Sequence, residues 1–154
     1  MEQFVIVPLT ARHLPQVAAI ERACFSQPWP EYALAAEIGN PAGRFLVAER
    51  DGRVLGYAGM TFVAGEGYVN NVAVAEDARR SGVGAALMRE LIAFSREIDL
   101  DFLSLEVRAS NVPARQLYGK LGFAIAGVRH GFYSFPREDG IIMTKYFDRE
   151  NGYG

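Results

Sequence analysis

In the run Arg79-Arg80-Ser81-Gly82-Val83-Gly84, two arginines and two glycines stand where an apolar strand gives way to an amphipathic helix. Glycine lets a backbone come close to a ligand, and the unpaired amides that open the helix aim at the same spot, so the spacing suits an anion. The arginines add charge matched to phosphate oxygens, and Val72, Ala73 and Val74 in the preceding strand offer main-chain groups along one side. A diphosphate-bearing cofactor is the chemistry implied. A nucleoside triphosphate with magnesium is disfavoured, because Ala85-Ala86 follow the last glycine where a phosphate loop carries lysine and then serine or threonine. The dinucleotide fingerprint fails as well, since position 87 is Leu rather than a third glycine. Alone, the run also reads as a glycine-softened helix start with two solvated arginines.

Two titratable side chains further along invite the same question. Glu106 lies in Leu103-Ser104-Leu105-Glu106-Val107-Arg108, where period-two alternation sends Leu103, Leu105 and Val107 to one face and Glu106 and Arg108 to the other. A carboxylate in mid-sheet is either a working acid–base group, a structural ion pair with Arg108, or solvent-exposed. Tyr118 shares a helix face with Ala114, Leu117 and Leu121, which makes it either a core aromatic or a hydroxyl turned toward chemistry.

The elements that position these residues follow from periodicity and punctuation. Residues 4–9 read as a strand, and a helix starts near His13, with Pro15 tolerable in its first turn and Leu14, Val17, Ala18, Glu21 and Phe25 on one stripe. The break Ser26-Gln27-Pro28-Trp29-Pro30 leads to a short helix over 31–38, ended by Gly39-Asn40-Pro41. Strands over 45–50 and 54–63 flank Asp51-Gly52, a hairpin turn signal, so they pair antiparallel. After the turn at Gly65-Glu66-Gly67, a strand over 68–74 delivers the chain to the loop, and its Asn70-Asn71 reads as a bulge marker. Leu87, Leu91, Phe94 and Ile98 form the apolar stripe of the next helix. A strand over 101–108, a helix capped by Asn111 and stopped by Gly122, and strands over 123–133 and 140–147 joined by residues 134–139 complete the order.

This order describes an α/β (α+β) fold: a mixed, mostly antiparallel sheet of about seven strands flanked by about four helices. With 154 residues, half of them hydrophobic, the chain supports one domain over 1–148 with a short tail at 149–154. A net charge of -2 advertises neither nucleic acid nor an anionic membrane, and no run of apolar residues is long enough to span a bilayer. The single cysteine, Cys24, excludes a disulfide framework and a cysteine-based zinc site and reads as a core thiol. His13 and His130 lack a partner pattern, so they read as cap and surface residues, and no metal is expected. A cytoplasmic protein, monomeric or weakly dimeric, is the expectation.

The loop resembles the pyrophosphate loop of the GNAT acetyltransferases, and the element order is theirs. Four ordered stretches make the resemblance specific to RimI-type ribosomal-protein-alanine N-acetyltransferases: Cys24-Phe25-Ser26-Gln27-Pro28-Trp29, Asn71-Val72-Ala73-Val74 with the arginine–glycine loop, residues 106–123, and Glu138-Asp139-Gly140-Ile141-Ile142-Met143. What the resemblance implies is a GNAT fold and acetyl transfer from acetyl-CoA to the α-amino group of a ribosomal protein's N-terminal alanine. It places Glu106 as proton acceptor for the amine, Tyr118 as proton donor to the departing thiolate and Asn111 as a CoA contact. Main-chain groups of Val72, Ala73 and Val74 would hold the acetyl carbonyl and pantetheine, and Arg79, Arg80, Ser81, Gly82, Val83 and Gly84 the diphosphate. Cys24 falls outside any nucleophile position, so attack is direct. Pro30, Gly140 and the short connection after Tyr133 depart from common family residues and leave the acceptor side open. A GNAT enzyme for lysine side chains or small amines, and a non-catalytic CoA-binding module, are the alternatives.

Overall fold

The computed structural model describes residues 3–148, and the tail expected at 149–154 lies outside them. Along the chain run β1 (Val5–Pro8), α1 (Leu14–Cys24), α2 (Glu31–Ala35), β2 (Gly43–Arg50), β3 (Arg53–Val63), β4 (Glu66–Val74), α3 (Val83–Glu97), β5 (Phe102–Arg108), α4 (Val112–Lys120), β6 (Ala124–Ser134) and β7 (Arg137–Tyr146), with 3-10 turns at Ala11–His13 and Glu76–Ala78. The strands order as β1-β2-β3-β4-β5-β7-β6. β4 and β5 are parallel, from Glu66 opposite Phe102 to Tyr68 opposite Ser104, whereas β1–β2, β2–β3, β5–β7 and β6–β7 are antiparallel. Two compact units divide the described residues: 3–61 with Asn70–Leu91, and Phe62–Val69 with 92–148.

In the first unit, the β2–β3 hairpin closes at Arg50 opposite Arg53, and Asp51 and Gly52 both take positive φ, 52° and 80°. That is the backbone of a type I′ turn, whose twist matches the flanking strands. The His13 ring accepts the Thr10 amide at 3.0 Å and so caps the turn that leads into α1, with Pro15 in the first turn of that helix. Helices α1 and α2 lie over a core of Val17, Ile20, Leu34, Phe45, Val47, Val54, Tyr57 and Ala73. Each large aliphatic side chain buried there contributes about 1.5–3 kcal/mol. Helix α2 ends three residues before the expected Ile38, and the following turns stop at Gly39 with φ 74°.

The second unit packs Leu100, Leu103, Leu105, Val107, Phe123, Ile141 and Met143 out of solvent. A ladder of edge-on rings, Tyr68–Phe102–Tyr146, crosses β4, β5 and β7. On α3 the buried stripe is Leu87, Met88, Leu91, Ile92 and Ser95 rather than the expected line through Ile98. Ile98 lies past the helix end and is exposed, because the chain turns at Asp99, φ 56°, to bury Leu100 instead. The connection between the last two strands is also tighter than the expected 134–139. Ser134 pairs with Arg137 and Tyr133 with Glu138, so Glu138 and Asp139 belong to β7.

Candidate active site

At the end of β4, Ala75 donates its amide to the Leu55 carbonyl at 2.8 Å and the chain enters the 3-10 turn Glu76–Ala78. Arg53 on β3 pairs with Asp77 and holds that carboxyl below its ordinary range, and the Ser81 hydroxyl donates to the Ala78 carbonyl. Arg80 and Gly82 then take positive φ, 65° and 86°, which swings the chain into α3 at Val83. The first bond that closes the helix runs from the Ala86 amide to the Gly82 carbonyl at 3.0 Å. The amides of Val83, Gly84 and Ala85 precede it, and the side of Gly82 where a Cβ would project meets nothing within 4 Å. Unpaired helix amides behind an open glycine, with an exposed Arg80 beside them, form a cradle that fits a diphosphate. Arg79 is otherwise engaged: its Nε donates to the Val74 carbonyl at 3.3 Å and its Nη2 to Cys24 Sγ at 3.5 Å. Cys24 is half-buried rather than a full core thiol, its Sγ 3.6 Å from the same carbonyl.

Directly before the strand segment Val72, Ala73 and Val74 sits a cluster that sequence reasoning missed. Glu21, 1% exposed, was expected as one more residue on the stripe of α1, and Asn71 as a bulge marker. Instead Glu21 Oε1 accepts the Trp29 amide at 2.7 Å, while Oε2 accepts the Tyr57 hydroxyl and Asn71 Nδ2, the latter at 3.0 Å. Asn71 Nδ2 also reaches the Tyr57 hydroxyl at 2.9 Å. Burial, reinforced by the bond to Glu21, holds the Tyr57 phenol protonated far above its ordinary range. The available signal was a charged residue on an otherwise apolar helix stripe, which requires buried partners. Trp29 packs against Phe45 at the edge of this core.

The second unit holds the acid–base candidates. Glu106 projects from β5 with its side chain 25% exposed; Oε1 lies 3.5 Å from Arg129 Nε, and Oε2 is buried without a hydrogen-bond partner. An ion pair between Glu106 and Arg108 does not form. Arg108 instead donates to Glu138 at 3.2 Å and to the carbonyls of Phe135 and Pro136, and its guanidinium stacks 4.4 Å over the Tyr133 ring. The tight β6–β7 turn puts those carbonyls within its reach, and the neighbour on its own strand face loses the competition. Glu138 accepts the Ser110 amide, and that bond, with Arg108, lowers its carboxyl below the ordinary range.

Asn111 is the cap of α4, its Oδ1 accepting the Ala114 amide at 3.3 Å, as expected. Tyr118 is the buried residue of that helix, its ring edge-on to Phe123. Its hydroxyl finds no hydrogen-bond partner among the described residues, and burial, with Tyr133 second, pushes its pKa up to about 12. A phenol so placed keeps its proton through neutral pH and offers it only to a strongly basic atom formed beside it. His130, exposed, pairs with Asp139 at 3.3 Å, and no cluster of three or more metal-ligating side chains occurs among the described residues. No helix among them is long and apolar enough to cross a membrane.

The acetyltransferase (GNAT) family profile matches residues 14–123, from the start of α1 through α4. The chain belongs to the GNAT acetyltransferase family. GNAT enzymes use acetyl-CoA as acetyl donor, and the cradle at Gly82 suits its diphosphate. Among curated GNAT relatives, the [ribosomal protein bS18]-alanine N-acetyltransferase of Escherichia coli is 36% identical over 141 residues, covering 90% of this chain and 95% of its own. A Bacillus subtilis protein described as a putative enzyme of the same name is 36% identical over 131 residues, 84% of this chain and 87% of its own. The crystal structure of the E. coli ribosomal-protein-S18-alanine N-acetyltransferase superposes with a TM-score of 0.86 at 33% identity, covering 99% of this chain and all of the other. The GNAT fold and the N-acetyltransferase activity expected from the sequence both hold.

Proposed function

We propose that the protein transfers the acetyl group of acetyl-CoA to the α-amino group of a protein N-terminus, with the N-terminal alanine of a ribosomal protein as acceptor. The observation that carries the chemistry is the buried, unpartnered Oε2 of Glu106, a carboxylate oxygen held for a proton donor that the chain itself does not supply. The likeness to ribosomal-protein-alanine acetyltransferases supports the acceptor class.

In this reading acetyl-CoA supplies an activated thioester carbonyl. Arg79, Arg80, Ser81, Gly82, Val83 and Gly84 hold its diphosphate, with Arg79 leaving the Val74 carbonyl to do so, and Asn111 adds a side-chain contact. Main-chain groups of Val72, Ala73 and Val74 hold the carbonyl and its pantetheine arm. The amine nitrogen bonds to the carbonyl carbon as the carbon–sulfur bond breaks. Glu106 takes the proton the amine loses, and Tyr118 gives one to the thiolate sulfur. Glu21, Tyr57 and Asn71 act one step removed, fixing the strand immediately ahead of Val72. The same reading treats residues 1–148 as one GNAT domain of a cytoplasmic protein, monomeric or weakly dimeric, that engages neither nucleic acid nor membrane.

The deciding experiment offers acetyl-CoA with free and N-blocked peptides, led by an alanine-initiated ribosomal N-terminus, and locates the modified atom by mass spectrometry. Transfer to the free α-amine, absent from blocked peptides, is the expected result. Transfer only to lysines or small amines would replace the acceptor, and CoA binding without transfer would refute the catalytic reading.

A further inference from the structure

We infer that Arg108 is a positioning residue for the acceptor, a clamp that holds the outer end of the β6–β7 hairpin in place beside Glu106. The inference rests on Glu106 being the carboxylate that meets the acceptor nitrogen.

The sheet alone holds this end of the hairpin weakly. Pairing between β5 and β7 stops at Arg108 opposite Gly140, so residues 130–139 project past the last rung shared with β5. Within the hairpin the register is broken between Arg129 and Tyr133, and beyond the break stand the pairs Tyr133–Glu138 and Ser134–Arg137. A two-stranded ribbon of that length is marginal in water by itself.

The projecting end borders the carboxylate that takes the proton. A Cβ at Gly140 would meet the Phe132 ring at 3.2 Å and Glu106 Oε2 at 3.4 Å, so the ring and the unpartnered oxygen stand side by side over that glycine. Tyr133 follows on the strand, and its phenol is raised by burial first and by the charge of Glu106 second. An amine that reaches Oε2 is thus received between β5 and this part of β6, and the place of the hairpin end sets how well it fits.

Arg108 supplies what the ladder lacks. It leaves β5 two residues after Glu106, on the same strand face. Its Nη1 donates to the Pro136 carbonyl at 2.8 Å and to Glu138 at 3.2 Å, its Nη2 donates to the Phe135 carbonyl at 3.2 Å, and the guanidinium lies 4.4 Å over the Tyr133 ring. One planar fork holds the turn, the start of β7 and a ring of β6 together, which the point charge of an ammonium cannot do. The other ties to β5 and its loop fall short of the turn. The Ser110 amide donates to Glu138 Oε2 and the Ala109 amide to the Asp139 carbonyl at 3.1 Å, while Arg115 holds the Ala109 carbonyl at 2.8 Å. These bonds persist without Arg108, so the loop that leads to Asn111, on the CoA side of the proposed reading, keeps its shape while the hairpin end is released.

The test compares full-length wild type, Arg108→Met and Arg108→Lys. It measures the steady-state KM of a peptide with a free N-terminal alanine, acetyl-CoA affinity by calorimetry, and hydrogen exchange over residues 130–138 by mass spectrometry. A released hairpin end that keeps the receiving geometry for about one-tenth to one-fifth of the time weakens acceptor binding about five- to tenfold. Arg108→Met therefore raises the peptide KM by that factor, leaves acetyl-CoA affinity within about twofold, and speeds exchange over 130–138 but not within β5. Arg108→Lys keeps the charge but engages one partner at a time, so it still raises the peptide KM at least about threefold, and it decides the matter if the methionine variant does not fold. A peptide KM that stays level or falls overturns the inference, as does an equal loss of acetyl-CoA affinity, unchanged exchange over 130–138, or full rescue by lysine. Full activity of Glu106→Gln on the same peptide refutes instead the reading on which the inference rests, and the exchange result then decides the clamp by itself.

Discussion

Replacing Tyr118 with phenylalanine separates a working hydroxyl from a packing aromatic, because the structure assigns opposite consequences to the two. The ring packs against Phe123 and stays in the variant, while the hydroxyl has no hydrogen-bond partner among the described residues. That oxygen is not among the fully buried polar atoms left without a partner, so it keeps contact with solvent, and removing it changes stability at pH 7.5 by no more than about 1 kcal/mol. The alkaline limb carries a second signature. A phenol raised from 10.0 to about 12 is two units above its unfolded value, equivalent to about 2.7 kcal/mol. Because the folded value is the higher one, that contribution is intact below pH 10 and disappears as pH climbs through 12; at pH 11 about half of it, roughly 1.4 kcal/mol, is gone. Phenylalanine cannot ionise, so the variant gains that amount on the wild type between pH 7.5 and 11 in urea unfolding, with all other groups cancelling. Turnover moves the other way: loss of a proton donor to the leaving thiolate lowers kcat about 10²-fold, or about 2.7 kcal/mol of barrier. A variant that turns over at the wild-type rate, or one destabilised by 2 kcal/mol or more at neutral pH, refutes the reasoning.

Glu106→Gln is expected to slow turnover most at low pH, where the unassisted reaction must wait for the small neutral fraction of an amine with a pKa near 7.7–8.0; acetyl-CoA binding, measured by calorimetry, is retained. Gly82→Ala meets no atom but forces a side chain onto a φ of 86°, so it weakens acetyl-CoA binding by about five- to tenfold, about 1–1.4 kcal/mol, with little change in acceptor KM. Cys24→Ala gives up two long Sγ contacts, to the Val74 carbonyl and to Arg79, and leaves transfer largely intact; a folded but inactive variant would argue for a role of the thiol in the reaction. Bonds from Arg12 hold Glu49 below its ordinary carboxylate value of 4.5, so that pair stabilises the fold above this pH and stops doing so as acid protonates the carboxyl. Arg12→Ala therefore flattens the acid limb of Tm between pH 6 and 3 while changing the slope above it little.

Local signals carried much of the architecture. Asp51-Gly52, Asn111 and Gly122 each enforce their structure through their own backbone or side chain, so the hairpin, the cap and the helix stop were legible residue by residue. Partners were not. Arg108 stands beside Glu106 in sequence pattern and on the same strand face, yet bonds Glu138 and the turn carbonyls, because the competition is decided by where β6 and β7 reverse. Glu21 and Asn71 failed for the same reason: alone, one is a charge on a helix and the other an interruption in a strand, and only the fold brings Tyr57 between them. Ile98 matched the helical period, but the period says nothing about where the helix stops.

The buried Glu21–Tyr57–Asn71 group also constrains how this chain can diverge. Losing any one member strands the others: without Tyr57 or Asn71 the buried carboxylate keeps fewer donors, and without Glu21 the phenol and the amide of Trp29 lose their acceptor. Exchanging all three for apolar residues of matching volume carries a smaller penalty than any single step toward it. Descendants of this protein are thus expected to keep positions 21, 57 and 71 as a set or to have replaced them as a set, with half-way sequences rare, which makes this covariation a record of packing rather than of acceptor choice.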